Sequence, residues 1–386
     1  MADLEPKTRI ESVDLLRGMI MIIMALDHVR EFWSVALFRA EDITQTSAPL
    51  FFTRWITHLC APTFAFLSGI SVYLVAKRLI DRRSVSLYLI KRGLFLVVCE
   101  VVLMSFLFQF SYNLILLEVI WVLGWSMVIM AALIWLPRWA IGLFALIVIA
   151  GHNLLPVIKP ITTIDYILAA LHNSPVVIVR PGMPAILIIY TILPCVGVVA
   201  AGYYLGEWLF LDKRTQASRW LLAGLISIGL FLLLRFNNGY GDPISWSAQP
   251  RGALFTVLSF LNVSKYPESL DFLGLTLGVA CLFLSLFSFY RPIGAEIIKV
   301  YGAVPFFFFI IHIPMILAGS LAWTYISFGT AVNLSFDGKD QWPAQYEPSL
   351  WRTYVVWILY LALLYFPCKW YANYKRADHP GWLAYI

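Results

Sequence analysis

Charge is what this sequence has least of. Only 13% of its 386 residues are Asp, Glu, Lys or Arg, against 61% that are hydrophobic. A soluble chain of this length carries about twice that charged fraction, so the scarcity excludes an ordinary soluble fold. Cysteine is scarce as well. Cys60, Cys99, Cys195, Cys281 and Cys368 lie in or beside apolar segments and form no paired motif. That excludes a disulfide framework and leaves them as small core residues. No HExxH or comparable ligand spacing occurs, so no metal site is expected. No GxSxG elbow occurs either, which argues against a hydrolase serine. The first twelve residues lack the apolar stretch of a cleavable signal peptide, so the first span is expected to act as its own insertion signal. No repeat, low-complexity tract or linker divides the chain, and a single domain over 1–386 is expected. The net charge of +6 does not point to nucleic acid, because the basic residues gather on one side of the fold that follows.

What is present is a series of long apolar runs. They predict an all-α polytopic membrane protein, a bundle of about ten transmembrane helices. The spans fall at roughly 13–37, 52–78, 87–110, 113–136, 138–158, 184–211, 219–236, 267–289, 296–324 and 351–372. Two amphipathic pieces, 161–172 and 251–262, read as surface or re-entrant helices. Lys77, Arg78, Arg82, Arg83, Lys91 and Arg92 crowd the link between spans two and three. Lys213, Arg214 and Arg219 follow span six, and Lys369, Lys375 and Arg376 close the chain. The positive-inside rule then places both termini in the cytoplasm. The longer loops, 38–51, 159–183, 237–266 and 325–350, fall on the far side.

The first span is the unusual one. Val13 to Trp33 is long enough to cross a bilayer, yet it carries Asp14, Arg17, Asp27, His28, Arg30 and Glu31. Ionisable groups inside a span are costly and are tolerated where a partner or a water-filled cavity receives them. Arg17 and His28 are about three helical turns apart, on one face and about 16 Å apart along the axis. With Arg17 at one interface, His28 falls near the middle of a core about 30 Å thick. An imidazole at that depth is a candidate for chemistry.

Other spans bring polar groups of their own: His58 and Ser68 in span two, Glu100 in three, Glu118 in four, His152 and Asn153 ending five, and His312 between Pro305 and Pro314 in nine. Singly, each reads as a polar pin between helices, worth about 0.6 kcal/mol. Collectively, burying so many unpaired groups would cost more than pinning returns, which predicts that they share one polar cavity with His28. His172 and His379 lie in a loop and a tail and carry no functional reading. In the far-side loops, Arg235, Asn238, Tyr240, Asp242 and Trp246 combine flat aromatic faces with polar groups, a composition that suits a sugar and also an interfacial aromatic belt. Lys265 could meet an anionic group or mark the interface.

An Arg followed eleven residues later by a His in the first span is similar to the Arg-x10-His signature of membrane-bound acyltransferases that modify extracytoplasmic glycans. TFAFLSG at 63–69 resembles their second-span FxxxSG element. More closely, the chain resembles bacterial proteins of the heparan-α-glucosaminide N-acetyltransferase catalytic-domain family. The matching pieces are RIESVDLLRGMIMIIMALDHVREFW, GHNLLP at 151–156, PCVGVVAAGYYLG at 194–206, NGYGDP at 238–243, LNVSKYPESLDFLGLTLG at 261–278 and YGAVPFFFFIIHIP at 301–314.

The resemblance implies an integral protein of a bacterial inner membrane. Its partners would be lipids, cytoplasmic acyl-CoA (most simply acetyl-CoA, with no metal) and a far-side sugar or glycolipid acceptor. A homodimer is left open. His28 would deprotonate an acceptor hydroxyl or amine, or carry the acyl group itself, with His58 and Glu118 as the other catalytic candidates. Arg17 and Arg92 would hold CoA phosphate, although Arg17 paired with Asp14 also reads as an interfacial anchor. Asp27, Arg235, Asp242, Trp246 and His312 are grouped with acceptor binding. In the lysosomal enzyme the histidine given the catalytic role lies in the loop after the first helix. Here that loop, Ser34 to Phe51, contains none, which leaves His28 before it and His58 after it. The alternative is a proton-coupled transporter or flippase that uses His28, Glu100, Glu118 and His312 as a relay.

Overall fold

The computed structural model describes residues 10–79, 81–156, 158–173 and 175–376; His379 lies outside them. Helix α1 (Glu11–Trp33) leads to α2 (Ala48–Arg78), which contains a 3₁₀ turn at Ile56–Leu59. Asp81 caps the N–H of Ser84 at the start of α3 (Arg82–Val98). That helix runs on through a π-helical segment, Cys99–Met104, to Ser105–Leu107. Strand β1 (Leu114–Leu117) precedes α4 (Val119–Leu133) and α5 (Arg138–Gly151). A capping box between Thr162 and Asp165 opens the short α6 (Thr163–His172). Strands β2 (Val176–Ile178) and β3 (Ala185–Ile188) lead into α7 (Ile192–Leu205) and α8 (Lys213–Asn237). The chain closes with α9 (Ala253–Leu261), α10 (Leu270–Phe289), α11 (Ala295–Ala303), α12 (Pro305–Phe328) and α13 (Leu350–Arg376).

The fold is mostly helical. Among the described residues, six helices are long and apolar enough to cross a membrane: α2, α7 with its 3₁₀ extension to Phe210, α8, α10, α12 and α13. Helices α4 and α5 are apolar but shorter. Helix α1 has the length but carries its acidic and basic groups within the run.

Three of the expected spans differ in detail. Spans four and six each begin with a strand, so the protein is not all-α. Leu114–Leu117 pairs in parallel with Ala185–Ile188, and Val176–Ile178 pairs antiparallel with the same strand. A short aliphatic run has no period that separates strand from buried helix, and here the partner strand decides. Span nine is two helices, because Val304 (φ −135°, ψ 51°) leaves the helical region. The cause is local: the ring of Pro305 disfavours the α conformation in the residue before it, and Pro305 itself starts α12, where no N–H is needed.

Helix α1 is the axis of the bundle, packed by α2, α10, α11, α12 and α13. Leu15, Leu16, Ile20, Met21, Ala25 and Val29 are at most 1% exposed. The crossing with α11 is close enough to need two glycines. A Cβ on Gly18 would stand 2.0 Å from the carbonyl oxygen of Ile298, and one on Gly302 would stand 2.0 Å from that of Asp14. Polar side chains tie α1 to its neighbours' backbones: Trp33 donates to the Ile316 carbonyl (3.0 Å), Trp357 to the Ile22 carbonyl (2.9 Å) and Arg352 to the Trp33 carbonyl (2.8 Å).

The crossing predicts a strong size limit at Gly302. Gly302→Leu must push α11 off α1, at a cost of about 1–3 kcal/mol or more. Thermal unfolding of the detergent-solubilised variant should show a clearly lowered midpoint, whereas a Leu at the open position Gly229, where an added Cβ meets nothing, should not.

Candidate active site

A cavity of about 860 Å³ runs along α1. Both Arg17 and Glu31 line it, and about 21 Å of helix separates them at 1.5 Å per residue. Arg17, Arg92 and Lys375 line it towards the face where α1 begins and α13 ends, called here the terminal face. Glu41, Lys265 and Lys339 line it towards the opposite face. His28 and Glu118 lie on the wall between, with Met24, Phe64 and Phe309.

His28 is held by a second histidine. The Nδ1 of His312 lies 3.0 Å and 2.8 Å from the carbonyl oxygens of Phe308 and Phe309, so that nitrogen carries a proton and donates it. His312 Nε2 must then accept, and it stands 2.7 Å from Nδ1 of His28. This assignment, made from the hydrogen-bond pattern, leaves His28 Nε2 unprotonated and without a protein partner among the described residues. Phe108 and Phe309 pack edge-on against the ring. His312 is fully buried and does not line the cavity. It belongs behind His28, where sequence reasoning had grouped it with the acceptor.

Beside this pair the charges of α1 are cross-linked. Asp27 accepts from Arg30 at 2.9 Å and from Arg54 at 2.5 Å. Arg54 reaches on to Glu41 at 2.8 Å, and Arg30 to Glu31 at 3.1 Å. Arg54 was missed in the sequence. Its signal is an Arg set within the apolar start of the second span, FFTRWITH. Tyr190 was missed too. It follows β3 as Glu118 follows β1, so the small sheet delivers both to the wall.

Ser68 lines the cavity as expected, but other expected members of a shared cavity are elsewhere. His58 is buried against Phe272, and neither ring nitrogen has a partner among the described residues. Glu100, at 1% exposure, accepts the backbone N–H of Glu118 at 3.0 Å. His152 packs against His172. None of the four lines the cavity. Arg235, Asp242 and Trp246 do not line it either. Arg235 spends its donors on the carbonyls of Ile244, Ser259, Phe260 and Asn262. Asp242 holds Ser264 and Ser269, and Trp246 donates to the Arg235 carbonyl. Together they close the 238–264 loop on itself. Of the proposed site residues, the cavity brings together Arg17, Asp27, His28, Arg92 and Glu118, with His312 directly behind.

Fold and site thus define a membrane-embedded helical protein with a cavity along α1, charged groups on its lining and a histidine on its wall backed by a second, buried one. The family described as heparan-alpha-glucosaminide N-acetyltransferase, catalytic, matches residues 9–236, and the chain belongs to that family of acetyltransferases. No curated protein matches the chain. The match takes in α1 and His28 and stops before Lys265 and His312.

The Glu41–Arg54 pair carries a pH prediction. Burial pushes the Glu41 carboxyl up, but the Arg54 charge and its hydrogen bond outweigh burial and hold it at about 2, against an ordinary 4.5. A depressed carboxyl contributes stability above its unfolded value, and the contribution is lost as pH falls through the folded one. Between about pH 4.5 and 2 the unfolding temperature of the native protein should therefore fall more steeply than that of Glu41→Gln. Parallel curves would refute the pairing.

Proposed function

We propose that the protein transfers an acetyl group from acetyl-CoA to a hydroxyl or amine of a sugar or glycan acceptor, with donor and acceptor entering the cavity from opposite faces. The observation that carries this reading is His28 on the wall of a cavity reaching towards both faces, with His312 hydrogen-bonded behind it. A base needs a free lone pair within reach of the proton it removes, and His28 Nε2 has one. His312 is the positioning residue that keeps this tautomer. The terminal face is read as cytoplasmic, in keeping with its basic residues. Arg17, held by Asp14 (3.2 Å) and the Gly302 carbonyl (3.2 Å), would meet the anionic part of CoA with Arg92 and Lys375.

In the reaction, His28 Nε2 takes the proton of the acceptor O–H or N–H as that oxygen or nitrogen bonds to the thioester carbon. The carbonyl π pair moves to oxygen and returns as the C–S bond breaks, and the CoA thiolate leaves with the proton from His28. Asp27, next in sequence, is committed to Arg30 and Arg54 and takes no part in the proton transfer.

Purified protein with acetyl-CoA and a panel of amino sugars and neutral sugars tests this. Acetyl-CoA should raise the unfolding temperature, and CoA release should depend on the acceptor. His28→Ala should lower turnover by about 10²–10⁴-fold while keeping the thermal protection. His312→Ala should lower it less, with an unchanged KM for acetyl-CoA. If the native protein neither binds nor consumes acetyl-CoA, the proton-coupled transport reading takes its place.

A further inference from the structure

Lys265 is a cavity-lining cation that the reaction above leaves unused. It lies in the short segment before α10, and that segment is pinned on both sides. Asp242 accepts from the N–H of Ser264 (2.7 Å) and from its hydroxyl (2.9 Å), while Thr191 donates to Glu268 (3.0 Å). The Lys265 ammonium rests over the rings of Tyr266 and Tyr190, at 5.1 Å and 5.8 Å from their centroids. Tyr266 in turn donates to the Tyr190 hydroxyl at 3.4 Å. Ring faces attract a cation at that range, but they accept none of its three N–H donors in a hydrogen bond.

Arg30, Arg54 and Lys339, which line the same cavity, are engaged elsewhere. Arg30 and Arg54 are committed to Asp27, Glu31 and Glu41, and Lys339 donates to the Leu37 carbonyl at 2.6 Å. Among the described residues Lys265 has neither an ion pair nor a hydrogen bond. A cation held over two rings, lining the same cavity as the base and with its donors uncommitted, is arranged for an anion that the protein does not itself supply.

Transfer generates such an anion at the reacting centre. When the acceptor adds to the thioester, the carbonyl oxygen takes the π pair and becomes negative. Donors already in position where charge develops are commonly the largest contribution to lowering the barrier. We propose that Lys265 is the catalytic cation that meets this oxyanion, with Tyr190 and Tyr266 as the positioning pair beneath it. The inference rests on the acyltransferase reading. In this role Lys265 neither gives nor takes a proton, so the atom balance of the transfer is unchanged.

The experiment is steady-state kinetics of CoA release by the full chain, with Lys265→Met (a comparable unbranched stem, no charge), Lys265→Gln and Lys265→Arg. Thermal protection by acetyl-CoA reports folding and donor binding in each. Both neutral variants should lose about 10²-fold in kcat with the KM for acetyl-CoA held within about twofold, and Lys265→Arg should recover at least about tenfold of the loss. A neutral variant with native kcat overturns the assignment. So does a loss confined to the acceptor's KM, which would make Lys265 an acceptor-anion site, or a loss of acetyl-CoA protection, which would make it a donor or folding residue. Absence of CoA release from the native protein brings down the underlying reading as well, and that outcome is distinct from native activity that ignores Lys265.

Discussion

The contact between the Arg54 guanidinium and the Asp27 carboxylate, 2.5 Å long and inside the bundle, is what allows so polar a helix as α1 to stand at its centre. A lone carboxylate there would cost several kcal/mol after every relaxation available to it. Asp27 is shared between Arg30 on its own helix and Arg54 on α2, and Arg54 extends the link to Glu41 in the following loop. The charges of α1 are therefore balanced locally, one residue away from His28, and the wall beside the imidazole is fixed from two helices and a loop at once. The close Gly18–Gly302 crossing does the same for the other end of α1, where it also places the Gly302 carbonyl beside Arg17.

The site that results is assembled from both halves of the chain. His28 comes from the region that matches the acetyltransferase family, whereas His312 and Lys265 come from beyond it. The break before Pro305 matters here. It separates α11, which crosses the start of α1, from α12, which runs beside its middle and carries His312 to within 2.7 Å of His28. The small sheet plays a comparable part, since Glu118 just after β1 and Tyr190 two residues after β3 both line the cavity.

Much of this was legible in the residues because hydrophobicity in lipid is such a strong constraint. Every apolar run expected to hold a helix does hold one, and the two amphipathic pieces are helices at Thr163–His172 and Ala253–Leu261. The concentration of ionisable groups in α1 also marked the helix that now lines the cavity. What stayed hidden was pairing. Four aliphatic residues at 114–117 look alike as strand or helix until 185–188 lies beside them. Arg235, Asp242 and Trp246 have the composition of a sugar site, but their polar atoms are consumed by backbone groups of their own loop. His58 and Glu100 are as polar and as deeply placed in sequence as His28, and only the bundle's packing turns them away from the cavity.

By itself the sequence determined that this is a membrane protein, where its helices run, and which helix carries charge into the apolar interior. Those properties follow from transfer energies of individual residues, which do not depend on neighbours far along the chain. Which groups meet was decided by the tertiary structure alone. The tautomer of His28 depends on a nitrogen 284 residues away, and the neutralisation of Asp27 depends on an arginine from the next helix. Hydrogen bonds and ion pairs act over about 3 Å, so they exist only once packing has brought their two ends together.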